Sequence, residues 1–464
     1  MRSLATLGFA AVLGLSPVAA AAQSAPNLAA LRGLSPIARL AETAEGRAAL
    51  DANLAVTGGI QAGTLAQPLL LPLPEQRALA LKDCFITDGN ATQLADGLGT
   101  RLAEAYQAKA RYTEPKSFTS LSPALADLIG YTNDVAKSDS NAGKYFFANA
   151  TTNGKVPVSA EAAALLAVGV TDPFGRAYGR PAGTPGSDAY GNARPFQTLA
   201  SLAAWRGEDY FGRPSHSLDW LRGPGQNLVD SPSYPSGHTT YGTTEAVLLA
   251  LLVPERYGQM VARAAEYGND RVLVGAHYAM DVIGGRAVAL HALAHLLAND
   301  PAYVGPTRSN PAVHNETTQG QGAEKHVTID DYPAALRAAR DELRAALAES
   351  CGGTIAECAA SDTGRFRDAG ANAAFVAATQ TYGLPVVHPD RAAERPDVGR
   401  AAPEAGYLLT MAFPALSLAE ANAILTETLG PGGGFLDDGS AFGIYSRLDL
   451  SAAAGKAAAM AAGR

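Results

Sequence analysis

Between residues 238 and 299 the chain reads as three consecutive helical stretches, about 238–252, 254–267 and 275–299. That run, more than any other feature, sets the fold class: mainly helical. Pro254 stops the first stretch and, followed by Glu255, gives the second a favourable first turn. Composition points the same way. Aromatic residues are only 7% while alanine is abundant, a balance that favours helices over a sandwich or barrel. Hydrophobic residues at 47% and charged residues at 17% describe a folded globular chain.

Arg2, the apolar run 4–15, Pro17 and Ala20-Ala21-Ala22 make residues 1–22 an export signal, with cleavage before Gln23. The expected location is therefore exported, periplasmic or extracellular. An oxidising compartment suits Cys351 and Cys358, whose short intervening loop a disulfide could close, leaving Cys84 as a buried thiol. No later segment reads as a membrane span. The run 246–253 stops at Pro254, and the stretch from Val282 is interrupted by Arg286, His291 and His295. With Lys+Arg 36 against Asp+Glu 44, a net charge of −8 offers no global field for nucleic acid or an anionic membrane. Neither is expected as a partner.

Residues 93–110 show helical periodicity and 121–129 a shorter version of it, whereas 169–196 is a long loop dense in Gly, Pro and Asp. A polar linker over 305–322 separates a principal domain, 23–304, from a C-terminal region, 305–464. There, 331–349 is amphipathic with Leu336, Leu343 and Leu347 on one face, and 417–429 opens on a Ser417/Glu420 capping box and stops at Gly430. Gly432-Gly433-Gly434 lacks the Lys-Ser/Thr of a phosphate loop and reads as a turn.

Two polar clusters stand at the ends of the central helices. Pro235-Ser236-Gly237-His238 opens the first, where Ser236 can cap the helix. The Gly237 and His238 amides there have no intrahelical acceptor, which makes an anion site with a histidine beside it. The second cluster is Asp270-Arg271, His277 and Asp281. The expected geometry puts His277 and Asp281 on one helix face, so that the carboxylate holds one ring N–H and leaves the other nitrogen free to attack. Gly284 and Gly285 would let another helix approach that face. Arg-Pro pairs at Arg180-Pro181, Arg194-Pro195 and Arg213-Pro214 offer guanidinium groups suited to phosphoryl oxygens.

Together these blocks resemble the type-2 phosphatidic acid phosphatase superfamily, which includes bacterial class A non-specific acid phosphatases and vanadium haloperoxidases. The family pattern is Lys-x6-Arg-Pro, then Pro-Ser-Gly-His, then Ser-Arg-x5-His-x3-Asp. The last two blocks match at 235–238 and 271–281, with Asp270 where the family usually has Ser. The first block departs more, because no lysine lies between Lys155 and Lys325. If Arg194-Pro195 is the anchor, Ser187 holds the lysine position, and Tyr190 and Phe196 give a class A phosphatase context. If Arg213-Pro214 is the anchor, Arg206 stands in for the lysine.

The resemblance, which spans about 185–300, implies an all-α helical bundle of the acid phosphatase and vanadium haloperoxidase type with a mostly helical C-terminal extension. It also implies roles. His277 attacks phosphorus, Asp281 orients it, and His238 protonates the leaving group and then assists water. Arg194, Arg271, Ser236 and the Gly237 amide stabilise the equatorial oxygens, with Arg206 and Arg213 as the rival cations. No metal or cofactor is expected, because arginines and amides carry the neutralising charge. His295 lies about 27 Å along a straight helix from His277, at about 1.5 Å per residue, and both it and His291 read as structural.

The expected function is an exported, metal-independent acid phosphatase acting on small phosphomonoesters through a phosphohistidine. Two alternatives stay open. A vanadium haloperoxidase would hold vanadate in the same oxyanion pocket, and a non-catalytic anion-binding or surface interaction protein would use the region after 305.

Overall fold

A computed structural model describes residues 24–463, apart from 66–68, 86–89, 115–116, 168, 187–188, 201, 220–226 and 311–324. The expected export signal at 1–22, Ser187 and most of the 305–322 linker lie outside the described residues. Helices of ten residues or more run in chain order as α1 (Ala25–Leu34), α2 (Ala44–Ala62), α3 (Leu73–Lys82), α4 (Thr100–Lys109) and α5 (Pro123–Asn149). They continue as α6 (Gly237–Leu252), α7 (Tyr257–Leu273), α8 (Ala279–Leu297), α9 (Tyr332–Cys351), α10 (Ala369–Thr381), α11 (Leu418–Glu427) and α12 (Leu450–Ala462). The described strands form two-stranded antiparallel hairpins, among them β1 (Tyr112–Glu114) with β2 (Ser117–Phe118) and β3 (Arg206–Glu208) with β4 (Pro214–His216). The fold is all-α in character.

Every residue of α6 is buried, polar first turn included. A helix apolar all round belongs in the interior, and here α5, α7 and α8 pack around it. The glycines of α8 permit that closeness. A Cβ on Gly285 would lie 2.5 Å from the Ser236 carbonyl oxygen, and one on Gly284 would lie 2.7 Å from the Tyr234 ring. No side chain fits at either position, so the start of α6 sits directly on α8. By length and composition α8 could cross a bilayer, but 89% of that stretch is buried inside the protein.

The C-terminal helices extend this core. α9 packs on α5 and α4, α10 and α12 pack on α7, and one apolar cluster runs from Leu31 to Ala457. A buried ionic cluster joins the same regions. Arg263 of α7 pairs with Asp83, Asp96 and Glu266, and Arg365 bridges Asp96 and Glu266 from the C-terminal side. The Cys351–Cys358 disulfide is formed at the end of α9, and Cys84 is a buried thiol. Ser417 and Glu420 make the expected capping box on α11.

Two helices differ from their sequence reading. The periodicity of 93–110 is split by Gly99, at φ 87°, into a 3-10 turn Ala95–Leu98 and α4. α5 runs far beyond 129, through a stretch rich in Ser, Asp, Asn and Gly that carries no apolar period. Its polar face is satisfied by a partner helix instead: Asn27 of α1 donates to Ser138 Oγ at 3.0 Å and Asp139 Oδ1 at 2.9 Å. Among its described residues the loop 169–196 contains only short helices, Pro173–Ala177 and Pro195–Thr198. The Asp172 carboxylate ties it together, accepting N–H bonds from Gly175 at 3.2 Å, Ala182 at 2.9 Å and Asn192 at 2.5 Å.

Candidate active site

The site forms where the starts of α6 and α8 meet. Ser236 caps α6 by accepting the Thr239 N–H at 3.1 Å, and its own N–H donates to the Asp281 carbonyl at 3.0 Å. Gly237 and His238 occupy the first turn, the positive end of the helix. The start of α8 is fixed from behind by α2, whose Thr57 and Asn53 side chains accept the Ala279 and Met280 N–H groups at 3.2 and 3.0 Å.

His277 is not on a helix. It precedes α8, so it and Asp281 do not share a helix face as their spacing suggested. The contact arises differently. Asp281 stands in the first turn of α8 and its carboxylate turns back, accepting from Tyr278 N–H at 2.9 Å and His277 Nδ1 at 3.1 Å. Ser233 Oγ also donates to this Oδ2 oxygen, whereas Oδ1 is buried without a partner. Burial pushes the Asp281 carboxyl up to about 7, opposed by the hydrogen bonds of Ser233 and Tyr278 and by the charges of Arg194 and Lys144. A proton taken up there has Oδ1 to sit on, so Oδ2 still receives His277.

Arg194 meets the other edge of the ring, its Nη1 3.0 Å from His277 Nε2. Guanidinium has no acceptor, so Nε2 must present its lone pair and Nδ1 must carry the hydrogen. The remaining Arg194 N–H groups donate to Ser231 O at 2.6 Å, Ala276 O at 2.9 Å, Ser231 Oγ at 3.1 Å and Pro232 O at 3.2 Å. The loop carrying Arg194 is locked by Tyr278, whose hydroxyl donates to Ala193 O at 3.0 Å and lies 2.7 Å from Thr198 Oγ1. Burial, then the charges of Arg194, His238, Lys144 and Arg271, hold the His277 pKa well below its usual value. The imidazole is thus kept neutral. The His238 ring stands 6.0 Å from that of His277, centroid to centroid. His238 is 6% exposed while His277, Asp281 and Arg194 are 0% exposed, so His238 lies on the solvent side.

Arg271 ends α7 beneath this cluster. Its guanidinium lies 5.0 Å over the Tyr267 ring and donates to Ala80 O at 3.2 Å, while Nε is buried without a partner. Asp270, where the family usually has Ser, accepts from Gln76 Nε2 at 2.8 Å. Burial and the nearby carboxylates of Asp83 and Glu266 push its pKa well up, favouring a neutral acid. A carboxyl whose folded pKa exceeds its unfolded one loses stability as pH rises from the unfolded value towards the folded one. Asp270→Asn should therefore become more stable than the parent as pH rises from 4 to 8, by up to about 1.4 kcal/mol per pH unit within the affected range. Thermal midpoints across that range check this, and a difference that shrinks with pH would count against it.

Of the sequence-derived candidates, the structure brings together Ser236, Gly237, His238, Arg194, Arg271, His277 and Asp281. It does not bring Arg206 or Arg213 to them. Both sit in the β3–β4 hairpin, Arg206 exposed and Arg213 paired with Glu114 at 2.8 Å over the Phe211 ring. The rival anchor thus lies on a separate hairpin, where Arg213 is already held by the exposed Glu114 carboxylate. His291 and His295 lie along α8 with ring centroids 4.5 Å apart, where His295 Nδ1 meets Asp300 at 2.7 Å. Among the described residues no group of three or more His, Cys, Asp and Glu is arranged to hold a metal ion. One residue was missed by sequence reasoning. Lys144 of α5 reaches the first turn of α6, its Nζ 3.3 Å from where a Cβ on Gly237 would stand.

Residues 164–302 match the PAP2 superfamily. This segment is similar to that family. It contains the helix starts and the Arg194 loop described above, whereas α5 and the C-terminal helices lie outside it. The chain is 47% identical over 69 residues to the non-specific acid phosphatase of Salmonella typhimurium, covering 15% of this chain and 28% of that protein. It is 42% identical over 72 residues to the non-specific acid phosphatase of Providencia stuartii, covering 16% and 29%. It is 41% identical over 71 residues to the acid phosphatase of Zymomonas mobilis, covering 15% and 27%. The chain thus spans between a quarter and a third of the length of these relatives.

Proposed function

We propose that the protein is an acid phosphatase that hydrolyses small phosphomonoesters through a phosphohistidine. The observation that carries this reading is the His277 ring, neutral and held by Asp281, with its Nε2 lone pair turned towards Arg194 and His238 on the solvent side. The named phosphatases similar to this chain support the same chemistry.

In the first step the Nε2 lone pair attacks phosphorus and the bond to the leaving oxygen breaks. The Arg194 Nη1–H now on Nε2 must give way, and a phosphoryl oxygen becomes its new acceptor. His238, protonated, transfers its proton to the departing alkoxide. As His277 gains charge, its Nδ1–H stays held by Asp281 Oδ2. In the second step neutral His238 takes a proton from water as the water oxygen attacks phosphorus. The N–P bond breaks, inorganic phosphate leaves and Nε2 regains its lone pair. Arg194, Arg271 and the α6 amides neutralise the equatorial oxygens throughout. We therefore propose that no metal ion or cofactor is required. We propose likewise that the chain works outside the cytoplasm, where a disulfide such as Cys351–Cys358 persists.

Hydrolysis of p-nitrophenyl phosphate in EDTA tests the reading. kcat/KM should peak below pH 7. The depressed His277 pKa keeps the nucleophile unprotonated in acid, while loss of the His238 proton ends the profile on the alkaline side. Orthovanadate should inhibit competitively. Absence of turnover, together with halide- and peroxide-dependent bromination after vanadate loading, would transfer the same pocket to haloperoxidase chemistry.

A further inference from the structure

The matched segment, 164–302, contains no lysine, and the position before Arg194 where the family pattern places one is Ser187. Outside that segment, α5 comes close to the site because it has a glycine at one point. A Cβ on Gly143 would lie 3.0 Å from Pro235 Cδ, so the helix backbone rests on the loop that opens α6. Further contacts fix its direction: Phe147 meets the Tyr234 ring at 5.5 Å between centroids, and Asn133 donates to Glu245 of α6 at 2.7 Å. The residue after Gly143 therefore overhangs the first turn of α6. Lys144 Nζ and Cε lie 3.3 and 3.5 Å from the Gly237 Cβ position, with the Tyr241 hydroxyl at 3.8 Å. Its charge acts on both His277 and Asp281.

We infer that Lys144 binds the phosphoryl oxygens, supplying from α5 the cation that is missing beside Arg194. The inference rests on the phosphatase reading and adds a residue to it. An ammonium at the open end of a helix adds a full charge to the partial charge of the amides, where an oxyanion is drawn. Gly237 is part of the arrangement, because a side chain there would occupy the space in front of Nζ. The oxyanion pocket is then a composite, its histidines and arginines from one segment and its lysine from an earlier helix.

The test compares Lys144→Met, Lys144→Gln and Lys144→Arg in the full chain, using kcat/KM for p-nitrophenyl phosphate and the dissociation constant of orthovanadate by equilibrium dialysis. Losing a charge-assisted contact should lower both affinity and kcat/KM by about 10- to 100-fold in the Met and Gln variants. Arg should recover much of the loss, and thermal midpoints should stay near that of the parent. A purely structural lysine would shift the midpoint and leave vanadate affinity unchanged in whichever variant folds. Vanadate affinity within twofold of the parent in Met or Gln overturns the inference, as does failure of the parent to bind vanadate. A parent that binds vanadate but does not hydrolyse the ester defeats the phosphatase reading alone, and the vanadate comparison still decides on Lys144.

Discussion

His277→Ala should abolish turnover of every phosphomonoester, whatever its leaving group, by a factor on the order of a million, the scale seen when a covalent nucleophile is removed. His238→Ala should behave differently. In the proposed mechanism a poor alkoxide leaving group needs a proton from His238, and its loss should cost about 10²- to 10⁴-fold. Nitrophenolate departs with little help, so phosphorylation of His277 should be partly spared with that ester. Attack by water on the phosphohistidine would still lack its base. The His238→Ala protein should therefore accumulate acid-labile phosphate, trapped by rapid alkaline quenching, and the His277→Ala protein should hold none. Geometry supports this asymmetry: His277 is fully buried between Arg194 and Asp281, whereas His238 retains some exposure to solvent. Label retained on His277→Ala, or equal leaving-group dependence in both variants, would reverse the assignment.

Local features of the site were legible in the sequence because their physics is local. Ser236 as a cap, amides at a helix start, and a carboxylate within reach of His277 all follow from short spacings. Even there the mechanism of contact differed, since Asp281 turns back from the first turn of α8 to a histidine outside it. Lys144 gave no signal. Its helix lies far from the phosphate blocks in sequence, and only the packing of Gly143 on Pro235 brings it near. The length of α5 was hidden for a related reason: Asp139 and its neighbours are buried against Asn27, a pairing that no periodicity reveals. The choice between Arg194 and Arg213 was likewise undetermined, because an Arg-Pro pair reads the same whether its guanidinium is enclosed or exposed.

That choice gives the second large effect. Arg194→Ala should reduce kcat/KM by at least about a thousandfold, whereas Arg213→Ala and Arg206→Ala should leave it nearly unchanged. The removal of a preorganised donor to a developing oxyanion costs about 10²–10³ in kcat on its own. Arg194 does more, since its guanidinium also holds the carbonyls of Ser231, Pro232 and Ala276. Each buried carbonyl left unpaired costs about 1–3 kcal/mol, so the variant should also lose thermal stability. Arg194→Lys separates the two effects. An ammonium restores charge but cannot fill every direction of the guanidinium fork, so catalysis should recover only in part. Arg213, by contrast, is exposed in a surface ion pair with Glu114, of a type that contributes little to stability. Measured side by side, kcat/KM and the thermal midpoint should both fall for Arg194→Ala and neither for Arg213→Ala. Loss of activity in Arg213→Ala with Arg194→Ala intact would mean that the hairpin, and not the loop held by Tyr278, delivers the phosphoryl-binding arginine.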